Sequence, residues 1–218
     1  MRSTVFALGM AVSVLTACGS DSTGPSASTE PGGTTAVNLT GILVGSTLSG
    51  DILITVAANA AGAASVGVTG CVYLGAAACT AAAGTYNKNT KALGFTTSSP
   101  ALVFVGTYAS GKAEGTFSGS DAGDFVVRTG TASTYCGTFT GAASGTWNFV
   151  ISGTSLSGVY DDGSGGSSLS GTVSGNSLSI TFSGGTAAGT LSGSSASGTW
   201  TAGVDSGTWS GSNTGCRS

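Results

Sequence analysis

The chain has 218 residues, 39 of them Gly, a net charge of −3 and only 7% charged side chains. It contains no His, which excludes His-based triads, His general bases and His-ligated metals. Six Lys and Arg give no basic patch for nucleic acid, and the absence of long runs of Ala, Leu, Glu, Lys and Arg argues against an all-α protein. Gly, Ser and Thr together make up about half the chain, a composition that would imply disorder if it were aperiodic. It is periodic, and the mean hydropathy is positive at +0.33.

The N-terminus reads MRSTVFALGMAVSVLTACGS. Arg2 is a short positive segment, and Val5 to Thr16 form an apolar stretch of about a dozen residues, too short to span a bilayer as a helix. Leu15-Thr16-Ala17-Cys18 follows, and it resembles the lipobox of bacterial lipoproteins: an aliphatic residue, two small residues, then Cys. The resemblance implies that residues 1–17 are a lipoprotein signal peptide and that Cys18 carries the lipid. Two or three acyl chains, palmitate among them, then give stable membrane attachment. An ordinary secretory peptide cut nearby is the alternative. Gly19 stands where Asp would favour inner-membrane retention, so the resemblance places the chain in the cell envelope, at the outer membrane or cell surface. Residues 18–36 hold two of the three prolines and no large apolar side chain, and are expected to be a flexible tether.

From Val37 onward, alternation of period two dominates. Trp147, Phe149 and Ile151 share one parity, as do Leu178, Ile180 and Phe182, with Ser, Thr and Asn mainly between them. One buried and one wet face mark antiparallel strands. Ser-Gly, Gly-Asn and Gly-Gly turn signals recur about every ten residues. A unit of Gly-Thr followed by a large apolar residue recurs at Gly84, Gly106, Gly115, Gly137, Gly145, Gly171, Gly189, Gly198 and Gly207. Gly and the large residue lie on the same strand face, where only Gly leaves room for a neighbouring strand's ring to cover the backbone.

The chain also reads as internally duplicated. Ser49–Ile52 matches Ser144–Trp147, Gly84 matches Gly171, Gly106 matches Gly189, Gly115 matches Gly198 and Gly123 matches Gly207, in preserved order. Two repeats are expected, 37–130 and 136–216, joined near Thr131 to Tyr135. The second divides into strands at 137–141, 145–152, 155–161, 168–174, 177–183, 186–192, 195–202 and 205–211. These are short for transmembrane strands and lack aromatic girdles. The expected fold is all-β: an antiparallel up-and-down meander forming two tandem eight-stranded small barrels, whose closure removes sheet edges. Residues 144–160, SGTWNFVISGTSLSGVY, resemble the opening hairpin of avidin-type barrels and, more broadly, of calycins such as lipocalins. The resemblance implies an up-and-down barrel and carries no biotin site.

Four cysteines remain beyond Cys18, which allow three pairings. Cys71 and Cys79 fit a stapled loop. Cys136 and Cys216 flank the second repeat, where an even number of strands closing on themselves brings first and last strands side by side, so a disulfide is expected between them.

Candidate chemistry is sparse. Asp161-Asp162 in YDDGSGGSS and Asp121 and Asp124 in SDAGD read as turn residues; calcium-loop spacings are absent. Lys88 and Lys91 in YNKNTK read as a charged hairpin tip. Phe139, Trp147, Phe149, Trp200 and Trp209 share the apolar parity and either line a ligand cavity or fill the barrel. Leu102–Val105 and Phe125–Val127 are apolar on both parities, so the first repeat is expected to pack against the second or against a partner. No catalytic residue, metal site or cofactor is indicated. The leading reading is a membrane-anchored, non-catalytic binding or structural lipoprotein, with its ligand or protein partner not legible. A paired-Asp hydrolase and a carrier of a small apolar ligand are the alternatives.

Overall fold

A computed structural model describes residues 30–59, 61–74, 78–214 and Cys216. The lipobox at Leu15–Cys18 and the expected signal peptide lie outside the described residues. The first eight strands are β1 (Val37–Gly45), β2 (Ser49–Val56), β3 (Ser65–Leu74), β4 (Thr80–Asn87), β5 (Ala92–Ser98), β6 (Ala101–Ala109), β7 (Lys112–Gly119) and β8 (Gly123–Thr129). The next eight are β9 (Ala132–Gly141), β10 (Gly145–Ser152), β11 (Ser155–Asp161), β12 (Gly166–Ser174), β13 (Ser177–Phe182), β14 (Gly185–Ser192), β15 (Ser195–Ala202) and β16 (Asp205–Ser212). Each set closes into an antiparallel up-and-down barrel, β1 pairing with β8 and β9 with β16.

Local sequence explains the meander. Two-residue loops such as Gly153-Thr154 and Gly175-Asn176 open on a Gly with φ of 59° and 57°, the left-handed conformation that a tight hairpin requires at its first position. Between turns, the period of two sends large side chains inward. On β6, Leu102, Phe104 and Tyr108 are buried while Val103 and Val105 face out. In the second barrel the rings point in and Ser and Thr point out, the reverse of a transmembrane barrel. Every motif matched between the repeats falls on strands of equal rank: β2 with β10, β4 with β12, β6 with β14, β7 with β15 and β8 with β16.

Beyond shifts of one or two residues at strand ends, three features differ from the sequence reading. β9 begins at Ala132 rather than 137, because Ala132–Tyr135 pairs with Ser152–Phe149 of β10; the joint shrinks to Gly130-Thr131. Residues 30–36, expected within the tether, lie against the first barrel. Pro31 is buried, Gly33 O accepts the Asn59 N–H at 2.7 Å, and Glu30 pairs with Lys91. Val103 and Val105 stay exposed, at 46% and 61%, because β6 lies two strands round from the barrel contact at β8.

Val126 is different: it is buried between the barrels, with Ile42 and Val44 from β1 and Val150 and Val159 from β10 and β11. Asn148 Nδ2 donates to Leu43 O at 2.9 Å, Arg128 Nη2 to Ser157 Oγ at 2.7 Å, and Ser152 Oγ to Thr129 O at 3.1 Å. The apolar second parity of β8 is therefore cover for the other repeat, as expected. Both disulfides form. Cys71–Cys79 spans the β3–β4 connection with Cα atoms 5.1 Å apart, and Cys136–Cys216 has its Cα atoms 5.0 Å apart. Cys136 sits within β9, opposite Ser212 of β16, so the segment after β16 turns back onto the closing seam.

Candidate ligand-binding cavity

The two barrel interiors differ in their rings, above all at β6 and its counterpart β14. In the first, Phe104 of β6 occupies the centre. It stacks on Phe95 at 4.4 Å and on Phe117 at 5.4 Å, and meets Phe125 edge-on at 5.5 Å. All four rings are buried, and they fill the interior. In the second, the matched strand β14 reads GTAAGTLS and presents Gly185, Ala187, Gly189 and Leu191 inward, none of them fully buried. Ala187 pairs with Ile180 and Trp200, as Phe104 pairs with Phe95 and Phe117. A ring is thus replaced by a methyl group, and a cavity of about 260 Å³ opens there.

Rings line the cavity in two tiers. Alternate strands β9, β11, β13 and β15 contribute Phe139, Tyr160, Phe182 and Trp200. Phe139 meets Trp200 at 6.1 Å and Tyr160 at 6.2 Å, and Tyr160 meets Phe182 at 5.4 Å, all edge-to-face. The other tier holds Trp147, stacked on Phe149 at 4.6 Å, with Trp209 edge-on to Trp147 at 5.3 Å. Edge-to-face contacts satisfy the ring quadrupoles and hold the walls in fixed orientations.

The Gly-Thr-aromatic repeats set those orientations. The Trp209 ring covers the backbone of Gly189 and the Trp200 ring covers Gly207, in both cases where a Cβ would have no room. Phe125 covers Gly106 of the first barrel in the same way. Each indole N–H is then directed at a strand carbonyl: Trp147 Nε1 to Thr138 O and Trp200 Nε1 to Thr140 O at 3.1 Å, and Trp209 Nε1 to Thr199 O at 3.2 Å. The indoles therefore present apolar ring surface to the cavity.

At the mouth the lining turns polar, with Asp162, Ser183 and Asp205. Asp162 Oδ1 accepts from the Ser164 hydroxyl at 2.6 Å and from its N–H at 3.0 Å, and these bonds hold its carboxyl below the usual carboxylate range. Asp161 Oδ1 accepts the Gly163 N–H at 2.6 Å, so the Asp161-Asp162 pair makes the turn it was expected to make. Asp121 Oδ2 likewise accepts the N–H groups of Thr47 and Leu48. Asp124 lines a separate groove between the barrels, where burial raises its pKa. Among the described residues, no group of three or more His, Cys, Asp or Glu is placed to hold a metal ion.

The five aromatics singled out from the sequence, Phe139, Trp147, Phe149, Trp200 and Trp209, all line this one cavity. Tyr160 and Phe182 belong with them and were missed. Their signal was parity alone: Tyr160 with Leu156, and Phe182 with Leu178 and Ile180. Cys18 lies outside the described residues. No family model, no curated protein and no solved structure matches this chain, so the chemistry of the cavity rests on its own residues.

Proposed function

We propose that this chain is a non-catalytic binding protein of the cell envelope, tethered by lipid at Cys18, that holds a small apolar ligand in the mouth of its second barrel. The observation that carries the binding role is the aromatic cavity of about 260 Å³, just under the usual size of small-molecule sites. A barrel that served only as a structural module would be filled as the first one is. The carrier reading therefore gains over the purely structural one. The paired-Asp hydrolase loses ground, since Asp121, Asp161 and Asp162 each accept hydrogen bonds from the turns they cap. The lipid tether rests on the Leu15–Cys18 box alone, and the avidin-like hairpin at 144–160 supports only a barrel.

A thermal-shift screen of the full chain against small aromatic compounds, charged and uncharged, tests the binding role. A ligand selective for the folded state raises Tm by mass action. The shift should vanish in Trp200→Ala; no shift with any compound would set the reading aside. Mass spectrometry of the processed N-terminus should find an acylated Cys18, and Cys18→Ser should leave the protein unanchored.

A further inference from the structure

We infer that the ligand of the second barrel carries a positive charge: a small alkylated ammonium held by the outer tier of rings beneath Asp162 and Asp205. The inference rests on the cavity reading above and replaces its wholly apolar ligand by one that joins apolar methyl groups to a charge. Its first support is the lining itself. Phe139, Tyr160, Phe182 and Trp200 come from four strands and line the cavity, meeting one another edge-to-face, and the face of an aromatic ring carries negative quadrupole. A desolvated alkylammonium against such faces is attracted electrostatically, and its methyl groups bury apolar area at the same time.

The second support is charge. Residues 132–212 contain no Lys, Arg or His, and their ionisable acids are Asp161, Asp162 and Asp205. Two of these three line the cavity mouth. Low-dielectric walls focus their field into the opening. The third support is what the lining withholds. Its indole N–H groups are directed at strand carbonyls, and among the described lining residues there is no cationic side chain. An anionic ligand would meet like charge at the rim and no cationic partner inside. A neutral one would leave the two carboxylates without a role in recognition.

The test is calorimetric titration of the full chain with phenyltrimethylammonium and with tert-butylbenzene, its uncharged isostere. At about 50 mM salt, where surface charges are weakly screened, the cation should bind roughly tenfold more tightly. Asp162→Asn with Asp205→Asn should remove most of that preference. Raising the salt to about 500 mM should weaken the cation alone. Equal or tighter binding of tert-butylbenzene overturns the charge inference and leaves the cavity reading standing. Preference retained in the double Asn variant, or indifferent to salt, overturns it too. Binding of neither probe removes the cavity reading along with it.

Discussion

Ala187 stands in the second barrel where Phe104 stands in the first. Each is paired on one side with a residue of the preceding strand and on the other with the ring of a Gly-Thr-aromatic unit: Ile180 and Trp200 for Ala187, Phe95 and Phe117 for Phe104. A filled interior and a hollow one are thus set apart by the Phe104 ring, which Ala187 lacks, and by Ile180 in the place of Phe95. Ala187→Phe should place a ring in the cavity, raise stability by about 1 kcal/mol as cavity-filling changes commonly do, and abolish binding of any cavity ligand. Urea unfolding and ligand titration of the same variant check both parts. Full ligand affinity in Ala187→Phe would show that the ligand lies elsewhere.

The converse change tests the filled barrel. Phe104 is 0% exposed and touches three other rings, so Phe104→Ala removes both transfer energy and packing. The expected loss is about 3–5 kcal/mol. It should show as a lower urea midpoint, with ligand binding at the second barrel kept wherever the variant is folded. A loss below about 1 kcal/mol would mean that the first interior collapses around the gap.

Strand positions were legible because period-two alternation and Gly-first turns act locally. The strands at 145–152, 155–161 and 195–202 match the sequence reading residue for residue. The closing disulfide was legible because an even strand count fixes which ends meet. The cavity was not. Ala187 in GTAAGTLS reads as one more small residue in a small-residue strand, and its meaning lies in the rings of β9, β11, β13 and β15 that surround it in space. The barrel contact was half legible: the double-sided apolarity of β8 and β6 looks alike in sequence, yet only β8 reaches the other barrel. Gly33 and Glu30 look like tether because their partners, Asn59 and Lys91, are remote in the chain.

Asp121 carries a pH-dependent contribution. Burial pushes its pKa up, but the N–H groups of Thr47, Leu48 and Ala122 outweigh it and leave the carboxyl below its ordinary value. A depressed folded pKa contributes stability above the unfolded value, near 4, and that contribution is lost as pH falls through the folded value. Asp121→Ala should cost about 1 kcal/mol at pH 7, since the Thr47 N–H bond at 3.0 Å is exposed and the Leu48 N–H bond at 2.8 Å only part-buried. The cost should be smaller at about pH 2, further along the protonation of the carboxyl, than at pH 7. Denaturant midpoints at the two pH values decide it; an equal cost at both would assign the effect to packing.

The two disulfides should differ in what their removal costs, and the difference follows from chain length. Cys71–Cys79 closes a separation of 8 residues, whereas Cys136–Cys216 closes 80, nearly the whole second barrel. Loop-closure entropy assigns about 2.5 kcal/mol to the first and about 4.5 kcal/mol to the second. Position adds to length. Cys136 lies on β9, the strand that closes the barrel against β16, and Ser212 is its register partner there. Phe139, a wall of the cavity, is three residues further along the same strand. Cys136→Ala with Cys216→Ala should therefore lower stability more than Cys71→Ala with Cys79→Ala, and should also weaken ligand binding by loosening the seam beside the rings. Cys71→Ala with Cys79→Ala should leave ligand affinity unchanged, because that staple belongs to the first barrel. Urea midpoints and ligand titration of the two double variants test the ordering. A larger loss from the Cys71–Cys79 pair, or equal effects on ligand binding, would show that the seam of the second barrel holds without its clasp.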